Sequence, residues 1–453
     1  MDFPVIGAPD TGDTAWMLTS AAFVLLMVPG LAFFYGGMVR AKSVLNMIMM
    51  SVSAMGVVGV LWVLYGYSMV FGEDKAGIVG DPLQFFGLKG LIGGTYLAGE
   101  DEAGALVDAA IPLVGTIPAT VFVSFQAMFA ILTVALISGA VADRLRFGPW
   151  MLFAALWATL VYFPVAHWVF SFDEVTTQTG GWIANKVEAI DFAGGTAVHI
   201  NAGAAGLVLA LILGKRKGWP KTPFRPHNLP FVMLGAGLLW FGWFGFNAGS
   251  AVGSNGIAGA TFVTTIAATA AAMLAWLLTE RIRDGHATSL GGASGIVAGL
   301  VAITPACSSV NILGALVIGV VSGVLCALAV GLKFRFGYDD SLDVVGVHLV
   351  GGLVGTILVG FVATEEAPAG VAGLFYGGGA SQLWAQLIGA GAVLLYSLVG
   401  TAIVALIVKY TVGLRIDDEG ESLGADESEH AETGYDFAAL GGSSMGRVPA
   451  KEA

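Results

Sequence analysis

The apolar residues of this chain fall into long runs that polar segments separate. A helix needs about 20 consecutive apolar residues to cross the hydrocarbon core of a bilayer. Eleven runs come close to that length or exceed it, although the short eighth run leaves the count open by one. The sequence therefore predicts an all-α polytopic membrane protein with eleven spans, at 14–38, 44–71, 113–141, 148–170, 194–213, 229–253, 257–279, 287–303, 310–332, 344–363 and 380–411.

Positive side chains collect in every second connection between the predicted spans. The odd-numbered connections carry Arg40, Lys42, Arg144, Arg146, Lys215, Arg216, Lys217, Lys221, Arg225, Arg281, Arg283, Lys333 and Arg335. The even-numbered connections carry only Lys75, Lys89 and Lys186. Because cytoplasmic loops hold the excess of Lys and Arg, we expect the N-terminus outside and the C-terminus inside. That orientation requires an odd number of spans, which eleven satisfies.

Two spans repeat one arrangement of polar residues. Asp191 precedes His199 by eight residues in span five, and Asp340 precedes His348 by the same distance in span ten. Spans five and ten run in opposite directions, which predicts an inverted repeat with function at the interface of its halves. Each histidine is followed at +4 and +7 by a glycine, namely Gly203, Gly206, Gly352 and Gly355. The predicted parts are a membrane domain at 1–412, with repeat one at about 14–213, repeat two at about 229–363 and a last helix at about 380–411, and an acidic cytoplasmic tail at 413–453.

Composition supports the membrane assignment. Of 453 residues, 56% are hydrophobic and 11% are charged, whereas soluble domains carry about 25% charged residues. The 66 glycines would let apolar helices pack closely. Much of the net charge of −12 lies in the tail, so it points to no nucleic-acid partner. Cys307 and Cys326 have no metal-binding or redox spacing, and the N-terminus lacks the basic start of a signal peptide.

The paired polar residues each allow an ordinary and a functional interpretation. A membrane histidine can simply hydrogen-bond a neighbouring helix. Two at pseudo-symmetric positions favour a pore in which His199 and His348 face each other and titrate as one unit. Asp191 and Asp340 lie where carboxylates cap helix N-termini. Asp191, on the outside, could also raise the local cation concentration.

Aromatic residues indicate a cation as the solute. Phe125 and Phe129 lie four residues apart on one helix face, and ring faces bind a small cation once it loses water. An aromatic belt at the membrane interface is the alternative for some of these residues, above all Trp16 and Trp182. A second aromatic tract, in span six, contains Trp243, Phe246 and Ser250.

Several strings, in order and spacing, resemble the Amt/Mep/Rh ammonium transporter family, in its bacterial Amt branch. They are "FYGGMVRAKSVLN", "FQAMFAILTVALI", "GAVADRLRF", "DFAGGTAVHINAG", "PHNLP", "GWFGFNAGSA", "TPACSSV" and "DVVGVHLVGG". The resemblance covers nearly the whole chain. It implies a homotrimer in a prokaryotic cell membrane, with a separate pore for ammonium or ammonia in each subunit, methylammonium as a further substrate, and no cofactor or metal.

The resemblance also implies roles for individual residues. His199 and His348 would be twin pore histidines, and Phe129 and Phe246 a stacked gate. The outer vestibule would contain Phe125, Ser250 and Asp191, with Phe170 where the family usually has tryptophan. Apolar pore lining would come from Leu31, Leu132, Trp243 and Val344.

The chemistry of the substrate favours transport as ammonia. Ammonium and potassium are similar in size and charge, and moving a bare cation into an apolar pore costs tens of kcal/mol in the idealised Born picture. Ammonium alone can lose a proton and cross neutral. The histidine pair would then either relay that proton, which makes transport electrogenic, or only steady the ammonia.

Three rival functions follow from the same residues. An ammonium sensor would carry a cytoplasmic output domain, and the tail is short for one. A Rh-like gas channel fits poorly with a vestibule that recruits a cation. An enzyme is least expected, because two imidazoles in a pore make a poor metal site. The tail itself reads as solvated by composition, while the resemblance implies that 423–435 couples subunits and meets a PII-type signalling protein. We expect disorder in the last dozen residues.

Overall fold

The computed structural model describes residues 4–92 and 110–436, which are mostly helical. Among them, ten helices are long and apolar enough to cross a membrane. This confirms a helical polytopic membrane fold. With one shorter apolar helix, they are α1 (Thr11–Met38), α2 (Ala41–Phe71), α3 (Ala119–Val141), α4 (Phe147–Phe170), α5 (Gly195–Leu213), α6 (Leu229–Gly249), α7 (Gly256–Asp284), α8 (Ser289–Ile303), α9 (Ile312–Phe336), α10 (Val345–Val362) and α11 (Ser381–Thr411).

Helix α8 is the short member of this set and corresponds to the predicted run at 287–303. Its 15 residues span about 22 Å at the α-helical rise, less than the hydrocarbon thickness of about 30 Å. Every residue from Gly291 to Ile303 is buried, so neighbouring helices surround α8. Its role as an eleventh span remains a prediction.

Polar residues just before the helices explain where several spans begin. At each of these positions the side-chain oxygen accepts a hydrogen bond from the backbone N–H three residues later, which satisfies a donor at the helix start. These N-cap residues are Asp10, Asn228, Asn255, Thr288 and Asn311.

Short strands lie in the connections before α1, between α2 and α3, and at the start of α3. The strand β4 (Ile111–Val114) pairs antiparallel with β1 (Val5–Gly7) and with β5 (Ile117–Pro118). The strands β2 (Asp74–Lys75) and β3 (Val79–Gly80) form a separate hairpin. Shorter helical turns lie at Phe86–Leu88, Ile183–Val187 and Leu374–Tyr376. The three-stranded sheet brings the start of the chain against the loop that leads into α3.

A layer of buried ion pairs joins the ends of several spans. The guanidinium of Arg216 contacts Asp339 at 2.8 Å and Asp143 at 3.1 Å, and Arg40 contacts Asp143 at 3.1 Å. Burial alone would raise the pKa of Asp143, but Arg40 and Arg216 outweigh that effect and hold this pKa below its ordinary value. We call Arg40, Asp143, Arg216 and Asp339 the charged layer.

The tail packs against the charged layer, although its composition is typical of a solvated segment. It contains two short helices, α12 (Asp418–Leu423) and α13 (Ala425–His430). Glu421 is 1% exposed, and it accepts hydrogen bonds from the Lys217 backbone at 2.6 Å and from Arg415 at 2.7 Å. The described part of the tail is therefore docked on its own subunit. The last dozen residues lie outside the described residues.

Candidate functional site

The two histidines that the sequence singles out are brought together in the structure. Each lies in a π-helical turn, Gly195–Ile200 at the start of α5 and Val345–Leu349 at the start of α10. Their Nδ1 atoms are 3.3 Å apart, and the ring planes differ by 18°. His199 and His348 are 0% and 2% exposed. Such turns are rare and occur frequently at functional sites.

Glycines explain how α5 and α10 approach closely enough for this pair to form. A Cβ added at Gly203 would lie 2.6 Å from the Cβ of Leu349, and one added at Gly352 would lie 2.9 Å from the carbonyl oxygen of Gly195. These are the glycines four residues after each histidine. The crossing therefore requires glycine from both helices.

We expect Gly203→Ala to separate the two helices and to lower the free energy of unfolding by about 1–3 kcal/mol, as overpacking of a core does. The matched control is Gly391→Ala, because a Cβ at that helical position meets nothing within 4 Å. Thermal unfolding of both variants in detergent measures the difference. Equal melting temperatures for the two variants would contradict the packing argument.

The aspartates that precede the histidines cap the helices that carry them. Asp191 accepts backbone hydrogen bonds from residues 194 to 197 and a bond from the Thr196 hydroxyl. Asp340 accepts from Val344 and Val345 at 3.1 and 2.7 Å. The capping interpretation is confirmed for both. Because both oxygens of Asp191 are occupied in this way, its carboxylate is directed at the helix start.

Two phenylalanine rings stack immediately beside His199. The ring centroids of Phe129 and Phe246 are 4.1 Å apart with 14° between their planes, and Phe246 lies 6.2 Å from His199. Phe125, expected in the outer vestibule, is fully buried and packs edge-on against Phe129 at 4.9 Å. Phe125 therefore packs against one member of the stacked pair.

A cavity of about 420 Å³ reaches the stacked rings at Phe129. Phe129, Phe170 and Ser250 line it, while Phe125 and Asp191 do not. The Ser250 hydroxyl donates to the Phe246 carbonyl at 2.8 Å, so its oxygen lone pairs remain available as acceptors. The lining also contains further apolar residues and the polar side chains of Asp13, Thr116, Gln126, Thr176 and Asn255.

Trp168, two residues before Phe170, does not line the cavity. Its indole N–H donates to the carbonyl of Ile78 at 2.8 Å, and its ring packs against Tyr396 at 4.6 Å. Phe170 therefore gives the cavity an aromatic ring, and neither Phe170 nor Trp168 provides an indole N–H there.

Sequence reasoning missed the polar groups that hold Trp243. This indole stacks on His199 at 5.4 Å with 18° between the planes. Its N–H donates to the Thr304 hydroxyl at 2.8 Å, and that hydroxyl lies 3.2 Å from Asn247 Oδ1. Thr304 and Asn247 are polar residues within largely apolar runs, and this is the signal by which the sequence could have indicated their role.

The remaining predicted lining residues are buried apolar side chains. Leu31 and Leu132 are each 1% exposed and Val344 is 0% exposed. Val344 lies beside Gly206, where an added Cβ would come within 3.1 Å of its Cγ1. The Nε2 atom of His199 has no hydrogen-bond partner among the described protein groups.

The structure combines apolar helices, a buried histidine pair and an aromatic cavity. Ionisable residues at membrane depth mark substrate or ion pathways, so these features define a membrane protein that handles a small solute. The profile of the Ammonium Transporter Family matches residues 15–435. The chain belongs to that family.

Relatives agree with this assignment along the whole chain. An ammonium transporter of Mycobacterium tuberculosis is 72% identical over 97% of this chain and 94% of its own length. An ammonium transporter of Aquifex aeolicus is 48% identical over 94% of each chain. The crystal structure of Mep2 from Saccharomyces cerevisiae superposes with a TM-score of 0.78 at 35% identity, covering 91% of this chain and 88% of that one. A structure described as a Sensor Amt Protein has a TM-score of 0.81 at 26% identity, covering 92% and 98%.

Proposed function

We propose that this protein takes up ammonium across the cell membrane of a prokaryote, by deprotonating the cation and passing ammonia through the subunit. The names of its relatives support ammonium as the substrate. One observation carries the mechanism: Phe129 lines the cavity and stacks on Phe246, whose ring lies 6.2 Å from that of His199 in the buried histidine pair.

The cavity is where the cation is recruited. The ring face of Phe170 offers a cation–π contact, and the Ser250 oxygen accepts a hydrogen bond from an ammonium N–H. Beyond the cavity the cation would have to lose all of its water. Apolar walls do not compensate the free energy of that dehydration. Potassium stops there, while ammonium can give up a proton.

The neutral ammonia then passes Phe129 and Phe246 and reaches the histidine pair. Nε2 of His199, which has no hydrogen-bond partner among residues 4–92 and 110–436, is the atom that would meet it. The histidines either take up the proton and relay it through the Nδ1 contact, or they steady the ammonia while the proton returns to the outer solution. Leu31, Leu132 and Val344 line the remaining route in this proposal.

The membrane arrangement belongs to the same proposal. The chain crosses the membrane eleven times as an inverted five-plus-five repeat with a final helix, its N-terminus outside and its tail inside. The caps that Asp191 and Asp340 form at α5 and α10 support the repeat. The docked tail, in turn, would present a surface for a PII-type protein beneath a homotrimer.

The test is the current from proteoliposomes that contain the full chain, after a jump in external ammonium and, separately, in potassium. A saturable current for ammonium alone supports electrogenic transport with cation recognition. A rise of internal pH without current would assign neutral ammonia conduction. No ammonium-dependent signal of either kind would overturn transport.

A sensor is the second candidate, because one solved structure with this fold is described as a Sensor Amt Protein. Such a protein would bind ammonium with little flux. Calorimetric binding of ammonium to the purified protein, without transport in the same proteoliposomes, would favour it.

The departure at Phe170 gives a prediction of gained affinity. Because tryptophan is a better cation partner than phenylalanine, we expect Phe170→Trp to lower the KM for ammonium about two- to five-fold. The matched control is Phe86→Trp, since Phe86 is exposed and lies outside the cavity lining. Competition by unlabelled ammonium against uptake of labelled methylammonium measures both variants, and an unchanged ammonium affinity for Phe170→Trp would remove its ring from the recognition step.

A further inference from the structure

The cavity has a charged side chain in its lining that the mechanism above does not use. Asp13, in the first turn of α1, lines the cavity together with Ser250 and Asn255. The other lining residues in the described part of the chain are apolar or neutral polar. A partly exposed aspartate is ionised at neutral pH. The outer cavity therefore carries a negative charge at its wall.

The structure holds this carboxylate in place without using up its acceptor capacity. Asp13 Oδ2 accepts from the Thr116 hydroxyl at 2.6 Å, and Oδ1 accepts from the Ser254 backbone and hydroxyl at 2.8 and 3.2 Å. A carboxylate offers about four lone-pair sites, so one acceptor direction is left. Gly253 lies beside the carboxylate and has no side chain to crowd it. A Cβ at that position would lie only 3.0 Å from Oδ1 of Asp13.

Asp191 provides the contrast. The sequence predicted that Asp191 could raise the local cation concentration, yet both of its oxygens accept hydrogen bonds from the start of α5 and it is 7% exposed. Asp13 instead lies on the cavity wall, and it bonds Ser254, which follows Ser250 by four residues. A cation drawn to Asp13 thus enters the cavity that Ser250 also lines.

We propose that Asp13 is the carboxylate that recruits ammonium into the cavity and sets the apparent affinity of uptake; this inference rests on the proposed function. A fixed negative charge in a cleft with apolar walls concentrates cations and speeds their association. The effect on an exposed cation path is modest and is screened by salt, because the Debye length falls from about 10 Å at 0.1 M to about 3 Å at 1 M.

The experiment measures KM and maximal rate of ammonium uptake by the full chain in proteoliposomes, at low and at high concentration of an inert salt. Asp13→Asn keeps the volume and one acceptor oxygen, which can still accept from the Ser254 backbone, while it removes the charge. We expect it to raise KM about two- to five-fold at low salt, with an unchanged maximal rate and with a KM that converges on the wild-type value at high salt. Asp13→Glu restores the charge and should restore most of the affinity.

Asp10→Asn is the matched control. Asp10 begins the same helix and is exposed, it does not line the cavity, and asparagine keeps its N-cap bond to the Asp13 backbone. An equal rise of KM in Asp10→Asn would assign the effect to the general surface charge and overturn the proposal. A rise in Asp13→Asn that persists at high salt would assign Asp13 to holding the Ser254 turn, which also overturns it. Absence of ammonium uptake by the unaltered protein would refute the proposed function itself, which is a separate result.

Discussion

Replacing His199 with leucine is expected to reduce the ammonium-dependent current by about 10²-fold, the lower end of what a positioned acid–base group contributes. Leucine fills a similar volume but offers neither nitrogen, so position 199 can neither take a proton from ammonium nor pass one to His348, whose Nδ1 lies 3.3 Å from that of His199. The current after an ammonium jump in proteoliposomes measures the loss.

The matched control for this experiment is His286→Leu, because His286 is exposed. Circular dichroism of both purified variants shows whether they remain helical. A His199→Leu protein that is folded and passes undiminished current would exclude the histidine pair from the proton path. Retained flux of labelled methylammonium without current would leave the pair as the proton relay and ammonia as the permeant species.

Replacing Arg216 with methionine is expected to lower the free energy of unfolding by about 3–5 kcal/mol, since it leaves a buried charge without its partner. Asp339 would lose contacts at 2.8 and 3.0 Å, and Asp143 would keep Arg40 alone. Burial lowers the pKa of Arg216 while Asp339 and Asp143 raise it above its ordinary value, so the guanidinium is charged at any pH of interest. Denaturant or thermal unfolding in detergent measures the loss.

Arg283 supplies the control for the charged layer. It pairs with Asp284 at 2.6 Å, but 41% of its side chain is exposed, and exposed pairs contribute little. Arg283→Met should therefore leave the unfolding transition almost unchanged. A transition of Arg216→Met that matches that of Arg283→Met would mean that the charged layer does not stabilise the fold.

The sequence predicted the spans well because apolar length is a local property. The ten long helices begin within about six residues of the predicted runs, and α8 falls where the short run predicted it. The histidine pairing was predictable for another reason: the same Asp-to-His spacing recurs in two spans, which the sequence predicts to run in opposite directions. Both signals can be counted along the chain.

The unpredicted features depend on contacts between residues that are distant in sequence. Thr304 holds Trp243 across 61 positions, and Asp13 is bonded to Ser254 across 241. The docking of the acidic tail could not be predicted either. Composition gives the charge of the tail, but it does not show that Lys217 and Arg415 donate hydrogen bonds to Glu421. The contact of Phe125 with Phe129 at 4.9 Å was not expected from the resemblance, and its place in the vestibule stays a prediction.

The contact between the two Nδ1 atoms has a consequence for turnover. A hydrogen bond at 3.3 Å holds one proton, so one ring donates while the other accepts, and the two tautomers are locked to each other. A proton that entered at Nε2 of His199 and left from Nε2 of His348 would reverse both tautomers. After one proton has passed, both histidines would hold the opposite tautomer. The pair could accept the next proton at Nε2 of His199 only after both rings had returned to their original tautomers. In a relay of this kind the resetting step, and not the arrival of substrate, would limit the rate at saturating ammonium.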